Sequence, residues 1–159
     1  MHAERIKEII CVVVLVVFIV FLTGNSSVSK STGDEVFKSV DAAVSVSGQK
    51  DIKKCDNQRI KKEFGFTHND FDYVTYYASD SVMEVRELLI IKLKDKSQLD
   101  SVRQATETRV TDKAKLFKGY APEQSAMLDK YVFEYKKGFI LYAVCDNPDQ
   151  LISAFKKAL

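Results

Sequence analysis

Two histidines, three cysteines and a few closely spaced carboxylates are the residues of this chain best suited to chemistry. A hydrolase needs a nucleophile, a base and a group that orients the base. His2 precedes a long apolar run and His68 falls in a turn, and no pattern brings either beside Cys55 or Cys145. Asp70 with Asp72, and Asp146 with Asp149, are close enough in sequence to serve as acid–base pairs. They stand at the starts of elements, however, where capping and solvation account for them. Six scattered glycines form no phosphate-cradling loop, and no calcium-loop pattern is present. Cys11, Cys55 and Cys145 lack the CxxC or Cys/His spacing of a zinc site. A net charge of +2 gives no basic stripe for nucleic acid. The residues predict no catalytic site, no cofactor and no metal.

Two groups of residues suit binding instead. In "GYAPEQ" Gly119 stops a helix and Pro122 presets the next, which is a structural role. The same stretch offers Tyr120 as an aromatic anchor, with Glu123 and Gln124 as polar contacts for a partner. Tyr73, Tyr77, Tyr131 and Tyr135 fall on alternate-residue rows of strands. If helices cover only one sheet face, some of these rings, with Tyr73 and Tyr77 the binding candidates, lie on the open face as a binding platform or a half-exposed strand surface.

Location is the most legible property. Ile9 to Leu22 is an unbroken apolar run of fourteen residues. Extended from Ile6 to Gly24 it makes a helix of roughly 28 Å, enough to span a hydrocarbon core of about 30 Å with Lys7 at its boundary. Arg5 and Lys7 precede the run and Lys30 is the next basic residue, so the N-terminus is expected inside and the remainder outside. "LTG" matches the first three residues of a bacterial lipobox, but Asn25 stands where a cysteine must carry the lipid. An uncleaved signal anchor over residues 1–24 is therefore expected, with cleavage near Ser26 and secretion as the alternative. Residues 25–32 form a polar stalk, leaving 33–159 as an extracytoplasmic domain.

The elements that must position these residues follow from periodicity. Thr32 and Glu35 have capping-box spacing before a helix with Val36, Phe37, Val40, Ala43 and Val44 on one face. A shorter helix ends at Gly65 with Ile60 and Phe64 as its i, i+4 pair. "DYVTYYAS" and "ELLIIKLK" read as strands. Lys96 to Lys118 carries a long helical stripe of Leu99, Val102, Thr106, Val110, Ala114 and Phe117. A short helix opens at Pro122, "KYVFEYKKGFILYAVCD" is a hairpin turning at Lys137 and Gly138, and Asn147 caps a last helix. The order ααββααββα predicts an α+β fold, a four-stranded antiparallel sheet with helices against a face.

These residues resemble the bacterial domain of unknown function 4358 family, found chiefly in Firmicutes. The resemblance rests on "EFGF", "DYVTYYAS", "IIKLKDKSQLDSVRQATETRV", "FKGYAPEQSAMLDKYVFEYKKGFILYAV" and "AFKKAL", and covers roughly residues 34 to 159. Its most specific piece is "FKGYAPEQ", Phe117 to Gln124. It implies an exported, membrane-associated and often lipoprotein-like protein, and implies no activity. Asn25 departs from the lipoprotein pattern.

The expected function is a noncatalytic extracytoplasmic module, held to the membrane by Ile6 to Gly24, that binds a protein or envelope component. The alternatives are a hydrolase-like envelope enzyme whose site escapes sequence, and a small-solute binder on the sheet face.

Overall fold

Thr32 and Glu35 cap the first helix reciprocally, each side chain taking the other's backbone N–H. The computed structural model describes residues 32–46 and 51–159. Along it lie α1 (Gly33–Val44), β1 (Lys53–Lys54), α2 (Asn57–Phe64), β2 (Tyr73–Ala78), β3 (Glu87–Lys92), α3 (Leu99–Phe117), α4 (Pro122–Leu128), β4 (Val132–Lys136), β5 (Phe139–Val144) and α5 (Pro148–Ala158). The anchor, residues 1–24, and all but the last residue of the stalk lie outside the described residues. Among the described residues no helix is long and apolar enough to cross a membrane.

The fold is α+β, and its antiparallel sheet has five strands in the order β1-β2-β3-β5-β4, not the four expected. The additional strand is β1. Two exposed lysines carry no alternating pattern, and pairing with Tyr77 and Ala78 is what makes them a strand. Asp56 then caps α2 by accepting from the Arg59 N–H, and Gly65 ends it.

Helices cover both faces of the sheet rather than one. Because side chains alternate along a strand, Leu89 and Ile91 of β3 join Tyr76, Ile140 and Tyr142 on the face packed by α2, α3 and α4. Leu88 and Ile90 join Phe139, Leu141 and Ala143 on the face packed by α1 and α5. β3 is central, and Leu88 to Ile91 are excluded from water. That burial explains its continuous apolar run, since a strand covered on both sides needs no polar alternation.

The β4–β5 turn has Lys137 at φ 49° and Gly138 at φ 85°. Two successive left-handed residues make the two-residue type I′ turn whose twist suits a hairpin, and Lys136 faces Phe139 as its closing pair. Asn147 precedes α5 as expected but makes no side-chain cap. Gln150, three residues on, instead donates to the Ala43 carbonyl at 2.7 Å and ties α5 to α1.

Gly33 sets how closely α1 approaches the sheet. A Cβ there would stand 2.0 Å from the Tyr73 ring. Gly33→Ala is expected to destabilise the domain by about 1–3 kcal/mol, as overpacking does, and a lowered urea midpoint with unchanged slope would show it. An unaltered midpoint would mean that α1 slides without cost.

Candidate functional site

Glu87 starts the central strand with its side chain wholly buried among the residues under α2 and α3. A bare carboxylate there would be prohibitively desolvated, so its surroundings must supply donors. Arg109 and Lys113 supply them from α3, four residues apart and hence on one helix face. The Arg109 Nε donates to both carboxylate oxygens, at 2.9 and 3.1 Å. Lys113 Nζ donates at 2.9 Å and also reaches the Val85 carbonyl at 3.3 Å. The hydroxyl of Tyr142, on β5, donates to Glu87 Oε1.

Tyr76, on β2, joins a second carboxylate to the group. Its hydroxyl lies 2.8 Å from Glu87 Oε2 and 2.5 Å from Glu63 Oε2, so one phenolic proton stands between two acids. Arg109 bridges the same two acids, its Nη2 lying 2.6 Å from Glu63 and 2.8 Å from Glu87. From Glu63 the alternation of sign continues outward through Arg59 at 2.9 Å and Asp80 at 2.8 Å to Lys53 at 3.0 Å. Seven charges of alternating sign thus run from solvent to the sheet centre. The Phe64 ring closes the inner end, edge-on to Tyr76 and Tyr142 and 5.4 Å from the Arg109 guanidinium.

Burial alone would push the Glu87 carboxyl up, but the charges of Arg109 and Lys113 and their hydrogen bonds outweigh it and hold the carboxyl below its ordinary 4.5. Burial pushes the Tyr76 and Tyr142 hydroxyls upward, and the Glu87 charge adds to it. Lys113 is drawn down by burial despite Glu87 beside it. Because the folded pKa of Glu87 lies below its unfolded value, its contribution is complete above about pH 4.5 and is lost as pH falls through the folded value. The urea midpoint should hold steady near neutrality and fall below pH about 4.5; a flat profile down to strong acid would contradict the assignment.

Chemically, this arrangement is closed. Glu87 accepts from two tyrosines, one arginine and one lysine, so its lone pairs are occupied and none remains to act as a base. Among the described residues no buried side-chain nitrogen or oxygen lacks a partner. No three histidine, cysteine or carboxylate side chains gather there in a metal-holding group.

The residues singled out from sequence lie elsewhere. His68 is exposed, and its backbone N–H donates to Asn57 at 2.8 Å. Asp70 accepts from the backbone and hydroxyl of Thr67, bonds that draw its carboxyl down, and Asp72 is exposed. Asp146 pairs with Arg86 at 2.8 Å, apart from the exposed Asp149. Cys55 and Cys145 are both free thiols, raised in pKa by burial, and they pack on opposite faces of the sheet. Tyr73 and Tyr77 share a face, as expected, but α1 lies across it. Tyr77 stacks on Phe37 at 5.0 Å, and burial together with Asp34 pushes the Tyr73 hydroxyl up to about 12. Tyr120 is 56 % exposed and stacks on Phe117, while Glu123 is exposed. Gln124 accepts the Val85 N–H at 3.0 Å.

That last bond reveals a corner the sequence did not show. Val85 is held on both sides, by Gln124 through its N–H and by Lys113 through its carbonyl. Within four residues of this junction stand Val82, Met83, Leu116 and Tyr120, the exposed large hydrophobic residues of the described chain. Beyond it, an open groove of about 440 Å³ runs between α3 and the segment after α4, walled by Val110, Ala114, Leu128 and Tyr131.

A family model described as a domain of unknown function (DUF4358) matches residues 45–145, well over half of the chain. The chain belongs to that family. The DUF4358 match contains the sheet, α2 to α4 and every member of the charge network, whereas α1 and α5 fall outside it. No curated protein and no solved structure matches the chain.

Proposed function

We propose that this DUF4358 chain is a noncatalytic, membrane-held extracytoplasmic module that binds a protein of the cell envelope through the corner around Val85. The carrying observation is that Val82, Met83, Leu116 and Tyr120, from two separate segments, are exposed around one hydrogen-bonded junction. Aromatic and aliphatic side chains with a polar rim are the usual anchors of protein interfaces. Glu84, Arg86, Glu123 and Lys118 supply such a rim.

The position of the corner fits a tether. The chain enters the domain at Thr32 and Gly33, against Tyr73, which pairs with Lys92 at one end of the strands. Val85 leads into Glu87, which pairs with Ala78 and Val144 at the other end. Six-residue strands separate the two ends by about 20 Å. A membrane span at Ile6 to Gly24 would join the domain at the end of the strands opposite the corner, which supports this reading.

Photo-crosslinking in cells tests this reading. A crosslinking residue at Tyr120 or Leu116 of the full-length chain should trap a reproducible envelope partner, and one at the exposed Glu107 should not. Fractionation of the same cells should place the intact chain with membranes. Identical products from all three positions, or recovery from the soluble cytosol, would refute it.

A second reading draws on the convergence of Glu63 and Glu87 on Tyr76 beside the Lys113 amine. That constellation would serve an envelope hydrolase if Phe64 moved aside and one of the Glu87 hydrogen bonds were released. Loss of a measured hydrolytic activity in a folded Lys113→Met variant would favour it over the binding module.

A further inference from the structure

The two edges of the sheet differ. β1 ends one side with two residues, both lysines, while β4 ends the other with five. Hydrogen bonding fixes which β4 backbone groups are free. The Leu93 N–H donates to the Gly138 carbonyl at 2.9 Å, so Gly138 turns toward β3 and Phe139 toward β4. Phe139 therefore bonds Lys136, Leu141 bonds Glu134 and Ala143 bonds Val132. The N–H and C=O groups of Phe133 and Tyr135 point away from the sheet, and no described donor or acceptor outside the sheet meets them.

An edge is often blunted by charged side chains. Here those of β4 are folded away onto α5: Glu134 pairs with Lys156 at 3.1 Å, and Lys136 donates to the Lys156 carbonyl. On the other face the Phe133 and Tyr135 rings are half-buried, with the Arg103 guanidinium 4.1 Å from the Phe133 ring centre. The groove walled by Tyr131 and Leu128 lies just before β4 in the chain.

The charge along this line is one-sided. Arg103, Lys118, Lys130 and Lys137 are exposed, Lys137 with its amine on the Leu159 carbonyl, while Lys136 is the one folded onto α5. Arg103 has Asp100 and Glu107 on its own helix, and Lys118 has Glu123 nearby in the chain. Of the acids closer to β4, Asp112 is taken by Lys115 at 2.8 Å and Glu134 by Lys156, which leaves Asp129 against Lys130 and Lys137. Free backbone groups, the half-buried Phe133 and Tyr135 rings, one apolar groove and a surplus of positive charge together define the occupant.

We propose that the β4 edge accepts an extended, acidic segment of a partner protein as a sixth strand. Its backbone would bond Phe133 and Tyr135, its apolar residues would lie toward the groove face, and its carboxylates would meet the lysines. This surface shares Lys118 with the rim of the Val85 corner but does not rest on that reading.

Fluorescence anisotropy tests the proposal with full-length protein in nonionic detergent and a labelled peptide of alternating valine and glutamate. Saturable binding that weakens with salt is expected, together with a much weaker signal for the peptide carrying lysine in place of glutamate. Tyr135→Pro removes an outward N–H that no ladder bond uses, a place where an edge strand tolerates proline. It should weaken binding by roughly tenfold, while Tyr135→Val, which keeps the N–H, should bind comparably. Should Tyr135→Pro fail to fold, amide exchange on the parent protein decides, with slowed exchange at Phe133 and Tyr135 expected on adding peptide. Equal binding of both peptides, no slowing at those amides, or peptide-insensitive self-association through β4 would overturn it.

Discussion

Glu87→Gln should lower the stability of the domain by about 3–5 kcal/mol, the range observed when one partner of a buried ion pair is removed. The glutamine fits the same space but carries no charge, and Arg109 and Lys113 remain with side chains only 13 % and 15 % exposed. Lys113 has then lost its acid, and Arg109 keeps only Glu63. Urea unfolding at neutral pH measures the loss directly. The acid decline assigned to Glu87 should flatten in the same variant, because the group that titrates is gone. Replacing the three together, as Glu87→Leu, Arg109→Met and Lys113→Leu, with Tyr142→Phe to remove the hydroxyl that would lose its acceptor, should recover most of the stability, since a well-packed apolar set is often no worse than a buried ionic one. A single variant as stable as the parent would show that water already reaches the cations.

Phe64→Ala should cost a similar amount, about 3–5 kcal/mol, for a different reason. The ring packs edge-on against Tyr76 and Tyr142, stacks on Phe66 at 5.3 Å, and sits beside the Arg109 guanidinium. Truncation removes apolar contact and also opens the charge network to solvent. Phe64→Leu keeps the closure and should recover about half of the loss. Tyrosine fluorescence quenching by acrylamide separates the effects: it should rise in the alanine variant and stay low in the leucine variant. Equal quenching in both would mean that Phe64 contributes packing alone.

The elements were legible where periodicity or capping chemistry is strong. Thr32 with Glu35, Ile60 with Phe64, the apolar run after Glu87 and the Lys137–Gly138 turn each have a local cause, and each forms as expected. β1 was not legible because its cause is distant: the Cys55 N–H reaches Tyr76 at 2.8 Å, and nothing in Lys53 or Lys54 announces it. The network escaped for a related reason. Glu87 heads an apolar strand, where a charge reads as the wet end of the element. The available signal lay on α3, where Arg109 and Lys113 fall on the inner side with Val102, Thr106 and Phe117. Two cations on the buried stripe of a helix require an acid from another element, and Glu87 is the charge that begins the central strand.

The placement of the two domain cysteines carries one last consequence. Cys55 belongs to the layer beneath α2 and α3 and Cys145 to the layer beneath α1 and α5, so the sheet itself keeps them from meeting. In an oxidising compartment a covalent bridge made by these sulfurs would have to join separate molecules, and would show as doubled mass on a non-reducing gel. Among the described residues the fold has no internal staple, and its endurance depends on packing and charge.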